Sequence, residues 1–334
     1  MTLHWKVARA ALAAVLAVVL LAAPLAAVEQ PASKVWRIGY LGDGSRASRA
    51  SISLDPFRDG LRELGYVEGQ NVVIEARWSD GRNERLASLA ADLVRQKVDV
   101  IVTHGLPAAR AAKNATPTIP IVVAVIADIV GTGIVESLAR PGGNITGMTD
   151  QVLDLSEKEV DLVKQMVPSL KRVGVMWNRT NATASKSAAL SSAAARASGL
   201  QVTALDVESV DTLDTVVESA AKARLGAVII VHDPLIVENR VRIAQALLSR
   251  RLPAICGSSW LAQAGLLMAY GPDQTQMFKR AAVFVDKIRK GAKPADLPVE
   301  QPTKFELVIN MKTAKALGLA IPPVLRLQVG QIID

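Results

Sequence analysis

Two histidines carry most of the chemistry that the residue types allow. His104 and His232 each come after a β-branched run, Val98 to Val102 and Ala227 to Val231, and each is followed within three residues by a proline. Imidazole is a good metal ligand, but a closed zinc site needs about four ligands. Asp233 is the one carboxylate adjacent to either histidine, and the chain has a single cysteine, Cys256. The plainer reading is that each histidine ends a buried strand and hydrogen-bonds locally. Nucleophilic catalysis has no sequence signal either. There is no Gly-x-Ser-x-Gly elbow, and Ser258-Ser259 reads as a strand-end pair. Gly42-Asp-Gly-Ser-Arg-Ala47 matches a dinucleotide fingerprint in letters, yet the next helix is expected at Asp55, outside the motif. Pro141-Gly-Gly-Asn144 has no Gly-Lys-Ser/Thr and reads as a hinge turn. No cofactor and no metal are expected.

What remains is a ring of residues at strand ends, where helix N-termini expose free N–H groups and open α/β sheets bind ligands. The first half supplies Gly42, Asp43, Trp78, Thr103, His104, Gly105 and Asp128. The second supplies Trp177, Asn178, His232, Asp233, Ser258 and Tyr270. Polar groups mixed with aromatic edges suit a small polar ligand. The helix starts after Gly105 and Asn178 could receive a carboxylate. Each residue has a plain alternative: Trp177 and Tyr270 as core aromatics, Asp128 and Asp233 as helix caps.

The scaffold for this ring is legible in the hydrophobic pattern. Val98 to Val102 is a strand buried on both faces, Pro107 opens an Ala-rich helix to Ala115, and Ile121 to Ile126 is a second buried strand. This is one right-handed strand–helix–strand unit. Before it lie a strand (34–41), a helix capped at Asp55 and stopping at Gly65, a strand (71–78) and an amphipathic helix (82–96). After it come a short helix near 131–139 and the break at Pro141. Then the order restarts. Ser156 and Glu159 fit a capping box. Lys171 to Trp177 resembles Trp36 to Leu41, a helix from Ala182 ends at Gly199, and Gln201 to Val207 stands where Asn71 to Trp78 stood. The strands 253–256 and 266–270, a helix 276–290, a strand 304–310 and a helix 311–317 complete the chain. The repeat implies two similar α/β lobes with parallel sheets, Rossmann-like, joined by crossings near Asn144, Asp273 and Pro298. The expected limits are 34–144 with about 274–298 for one lobe, and 145–273 with about 299–334 for the other. A hinge of several crossings serves closure around a ligand.

Composition narrows the class further. Half of the 334 residues are hydrophobic but only 4% are aromatic, so the core must be aliphatic, as in α/β layers. The net charge of +8 comes from interspersed acids and bases and reads as a solvated surface, so no nucleic-acid partner is expected. Lys6 and Arg9 precede an apolar run to Ala23, with small residues near Ala27, the layout of a signal peptide over 1–27. His4 lies inside it. Its removal leaves 37 bases against 31 acids, a formal +6. The expected location is periplasmic or extracellular. One cysteine allows no internal disulfide, so burial must supply the stability.

Several segments together resemble a known family. Gly65 to Asn71 (GYVEGQN), Val102 to Ala109 (VTHGLPAA), Ile119 to Val122, Leu138 to Gly147 (LARPGGNITG), Leu297 to Phe305 and Asn310 to Pro322 are similar to ABC transporter substrate-binding proteins of the tryptophan/tyrosine-type solute receptors. The resemblance covers nearly all of the chain beyond residue 27. It implies a type I periplasmic-binding-protein fold and ligand capture for an ABC importer. The resulting reading is a monomeric receptor without catalysis that captures an amino-acid-like molecule or aromatic acid and presents it to a membrane permease. The resemblance also implies that Thr103 to Pro107, Asp128 and the region of Asp150 face the ligand. Relatives often carry Asp-Pro-Val where this chain has Asp128-Ile-Val130, so ligand identity does not carry over. A ligand sensor for a signalling receptor is the leading rival, and an exported hydrolase or dehydrogenase is the rival from another class.

Overall fold

The computed structural model describes residues 34–150 and 155–334, so the expected signal peptide lies outside the described residues. The first part runs β1 (Trp36–Gly42), α1 (Arg46–Arg49), α2 (Leu54–Glu63), β2 (Val72–Trp78), α3 (Leu86–Arg95), β3 (Val100–Thr103), α4 (Leu106–Ala115), β4 (Ile121–Val123) and β5 (Ile145–Gly147). The second runs α5 (Ser156–Met166), β6 (Arg172–Asn178), α6 (Ala182–Ala197), β7 (Gln201–Val207), α7 (Leu213–Lys222), β8 (Ala227–Ile230), α8 (Pro234–Glu238), α9 (Arg240–Ser249), β9 (Ala254–Cys256), α10 (Ser259–Gln263) and β10 (Met268–Pro272). Then come α11 (Gln274–Arg289), β11 (Phe305–Asn310), α12 (Met311–Leu317), α13 (Pro323–Arg326) and β12 (Val329–Ile333).

The β-branched runs become central strands. Every residue of β3, β4 and β8 is buried, as strands covered by helices on both faces must be. The apolar stripe of α3 sinks Leu86, Ala90 and Leu93 into the same core as β3. At the end of α12, Gly318 takes φ +72°, the left-handed conformation that a helix stop requires and glycine adopts without strain.

Two sheets result. The first has the order β2-β1-β3-β4-β5 and is entirely parallel. The second has the order β12-β11-β10-β9-β8-β6-β7, with β10 and β11 its antiparallel pair. The run β7-β6-β8-β9-β10 repeats β2-β1-β3-β4-β5 strand for strand, so the echo between Trp36 and Lys171 is a repeat of topology. The chain does not respect the two sheets in sequence. After β10 it returns to the first lobe, where α11 packs on α2, and then re-enters the second sheet as β11. Tyr66 donates to Asp286 at 2.8 Å and Lys279 to Glu63 at 3.0 Å across this helix pair. A methyl group at Gly60 would collide with the Lys279 carbonyl, so glycine sets how closely α2 and α11 approach.

Some expectations change. Ile145–Gly147 is not the start of the second lobe but an edge strand of the first sheet, paired with β4. Val299 and Glu300 also stay with the first sheet, donating to the Leu138 and Gly147 carbonyls at 2.8 and 2.9 Å. The last crossing therefore lies after Glu300. Residues 131–139 form turns, not a helix, because Asp128 takes φ +50° and its carboxylate accepts the Gly131 N–H at 2.9 Å, ending any helical ladder there. The helix expected to be capped at Asp55 begins at Leu54, and α1 lies inside the Gly42 to Arg49 loop, capped by Ser45. Ser156 and Glu159 make no capping box. Leu155 is the cap residue, Ser156 pairs with Ser191 at 3.2 Å, and Glu159 is buried.

Candidate ligand-binding cleft

The carboxyl ends of both sheets open onto one gap, a cavity of about 70 Å³, narrower than the ~300–1,000 Å³ of ordinary small-molecule pockets. Its wall is built from the loops at the strand ends. Asp43 comes after β1, His104 and Gly105 after β3, Val125 to Ala127 after β4, and His232 after β8; α10 adds Trp260 and α11 adds Phe278.

Helix α1 exists to bring a cation here. Ser45 accepts the Ser48 N–H at 3.3 Å, and the single helical turn after it carries Arg49 back over Asp43. The guanidinium donates to Asp43 Oδ1 at 2.7 Å, with Asp43 2% and Arg49 4% exposed. Burial pushes the Asp43 carboxyl up, but the Arg49 charge, His104 and the hydrogen bonds the carboxylate accepts together outweigh burial and hold the group below the usual carboxylate range. His104 Nδ1 stands 3.6 Å from the same Oδ1. Burial holds both His104 and His232 down to about 4, so each imidazole is neutral near pH 7.

Aromatic rings link the two lobes across the cavity. His104 meets Phe278 edge-on at 5.4 Å, Phe278 lies 6.0 Å from Trp260, and Trp260 lies 6.5 Å from His232. Opposite this arc are the first turns of α4 (Leu106, Pro107) and α6 (Thr183, Ala184). Three atoms in the wall are buried and unpaired: Asp43 Oδ2, Arg49 Nε and His104 Nε2.

Of the residues named from sequence, Asp43, His104, Gly105, Asp150 and His232 line the cavity. Asn178 and Asp233 stand outside it, in a groove at the mouth. There Asp233 accepts from Asn178 at 3.1 Å, Asn181 at 2.8 Å and the Leu235 N–H at 2.8 Å, which ties the loops after β6 and β8 together. Asp128 is at the rim, paired with Lys186 of the opposite lobe at 2.9 Å. The remaining six residues lie off the cavity wall, because they belong to the strand ladders or the hinge. Gly42 packs beneath the Trp78 ring, and Trp78 lies against Tyr40 at 5.4 Å. Thr103 donates to the Leu41 carbonyl at 2.9 Å, and Trp177 packs with Val175, Ala184 and Val231. Ser258 donates to Gln274 at 2.7 Å, and Tyr270 stacks on Phe305 at 6.4 Å beside the last crossing. Sequence reasoning missed Arg49, Asn181, Trp260 and Phe278. Arg49 sits in a segment that also holds Arg46, and Phe278 reaches the cavity from a helix 174 residues after His104 in the chain.

Backbone contacts tie the two lobes together beside this space. Glu238 accepts the Ser45 N–H at 3.4 Å through either oxygen, and Arg240 donates to the Ser48 carbonyl at 3.0 Å. Among the described residues no cluster of three or more His, Cys, Asp or Glu is placed to hold a metal, and no helix is long and apolar enough to cross a membrane.

Two facing, mostly parallel sheets, three crossings and a cleft walled by both lobes define a solute receptor of the periplasmic-binding-protein class. The chain belongs to the ABC transporter substrate binding protein family, whose model matches residues 48–332. It is 27% identical over 271 residues to a tyrosine-binding protein of Clostridioides difficile (strain R20291), covering 80% of this chain and 78% of that one. The structure of an ABC domain in complex with L-Trp from Streptococcus pneumonia is similar, with TM-score 0.82 and 28% identity, covering 90% of this chain and 100% of that chain. A conserved domain protein of Vibrio cholerae O1 biovar El Tor is similar at TM-score 0.81 and 25% identity, with the same coverage. The family implies a small-molecule ligand and an ABC transporter as partner, and its members work on the extracellular or periplasmic side of the membrane.

Proposed function

We infer that this protein is exported by its N-terminal segment, binds an amino-acid-like molecule or aromatic acid between its lobes, and presents the closed form to an ABC permease as a monomer. The observation that carries this reading is the cavity itself, walled by charged and aromatic side chains from both lobes. A ligand touching both lobes favours the closed state, whereas one held by a single lobe would shift nothing. The lobes take residues 36–147 with 274–300, and 155–272 with 305–334, in keeping with the pairing of their strands. Likeness to a tyrosine-binding protein and to an L-Trp complex supports an aromatic amino acid over a sugar. The protein binds its solute and releases it unchanged.

A thermal-shift screen of amino acids, aromatic acids, amides and small sugars tests this reading. A true ligand at 100 times its Kd stabilises the native state by about 2.7 kcal/mol. Small-angle scattering should show compaction with the same compound, and chromatography should recover it intact. A screen without a single stabilising compound sinks solute capture, and turnover of a bound compound would make the protein an enzyme.

A further inference from the structure

Buried polar atoms in folded proteins are almost always paired, and an unpaired one costs the desolvation of the group. Asp43 Oδ2, Arg49 Nε and His104 Nε2 break this rule side by side in the cavity wall, on residues that are 2%, 4% and 5% exposed. Tyr40, Trp78 and Gln274 each carry one unpaired atom as well, but none of the three lines the cavity.

The polarity of each atom is set by its neighbours. Asp43 is ionised against Arg49, so Oδ2 accepts. The ionised Asp43 carboxylate, 3.6 Å from His104 Nδ1, favours by its charge the tautomer with the proton on Nδ1, which makes Nε2 an acceptor. Arg49 Nε can only donate. The cluster offers two acceptors and one donor, and its charges already cancel. A ligand group of net charge would find no counter-charge within the cluster itself. A hydroxyl has one proton to give and leaves an acceptor unpaired. A carboxylate has none, and an ammonium alone has nothing for Arg49.

We propose that Asp43, Arg49 and His104 form the polar-end subsite of the cleft, taking a net-neutral group with two N–H donors beside an acceptor oxygen, namely the head of an α-amino acid or a primary carboxamide. The apolar body of the ligand then lies along Phe278 and Trp260. This assignment rests on the reading of the protein as a solute receptor.

A calorimetric series that keeps the apolar body constant tests it: L-phenylalanine, 3-phenylpropanamide, 3-phenylpropanoate, phenethylamine and 3-phenylpropanol, and the same heads on indole. At least one of the first two heads should bind about a hundredfold or more tighter than the acid, amine and alcohol on the same body. Asp43→Asn and Arg49→Gln should collapse that ratio to within about threefold, with circular dichroism and the unliganded melting curve showing that each variant folds. The series on the unaltered protein decides the matter even where a variant does not fold. Equal binding of acid or amine, or an unchanged ratio in folded variants, overturns the proposal. So does a series without binding when the wider screen finds another ligand. If both screens are empty, solute capture falls and the subsite with it.

Discussion

His104 and His232 occupy matching places in the two halves, and the shared cavity that keeps them neutral also holds Asp43, Arg49 and Asp150. Their pKa values are lowered to about 4 from an ordinary 6.5, so the closed protein binds fewer protons than the open or unfolded one between those limits. The stability each neutral imidazole contributes is present above pH 6.5 and is lost as pH falls toward 4, on the order of 3 kcal/mol at most per residue. Ligand affinity should therefore drop on acidification, with proton uptake on release, when titrated calorimetrically at pH 7.5 and 5 in buffers of different ionisation heat. His232→Gln should flatten that dependence. Glu159 has the opposite sign. Burial pushes its carboxyl up to about 8, so the folded state binds the extra proton, and the stability present below pH 4.5 is lost as pH rises through 8. Glu159→Gln should stabilise the protein by about 2–3 kcal/mol at pH 7 and far less at pH 5, read by urea unfolding at both. At this scale the sequence was partly legible. The histidines could be found because each comes after a strand whose burial is written in β-branched residues. Arg49 could not, since its role depends on one turn of helix whose only local mark is Ser45.

Elements were legible wherever a period had room to show. Helices α3, α6 and α12 and the strands β6 and β7 carry enough residues for a 3.6- or two-residue pattern, and glycine marks where α2, α6 and α12 stop. The three residues of β5 are too few for any period, and its place beside β4 depends on pairing that only the assembled sheet provides. The contact between α2 and α11 is likewise invisible locally, although Gly60 marks it in retrospect. Gly60→Ala should push these helices apart and lower stability by about 1–3 kcal/mol in thermal unfolding. Ligand binding by the folded fraction should survive, because α11 still delivers Phe278.

For the whole molecule, closure depends on few polar contacts. Lys186–Asp128 is an exposed rim pair, 60% and 26% accessible, and such pairs are worth about 0–1 kcal/mol. Glu238 and Arg240 grip the backbone of Ser45 and Ser48, on either side of the turn that carries Arg49. The double variant Glu238→Ala/Arg240→Ala should enlarge the unliganded radius of gyration in solution scattering. It should also raise the ligand dissociation rate about tenfold while the association rate changes little. An unchanged radius would mean that ring packing between Phe278 and Trp260 alone keeps the lobes together.

The detour of the chain through α11 bears on how this protein is made. The helix that covers Phe57 and Leu61 leaves the ribosome roughly 140 residues after β5, a delay of roughly 7–30 s at ordinary rates of synthesis. Throughout that interval the nascent first lobe has an uncovered apolar flank, the kind of surface that chaperones recognise. A chain cut after residue 273 should emerge insoluble, however complete its first sheet.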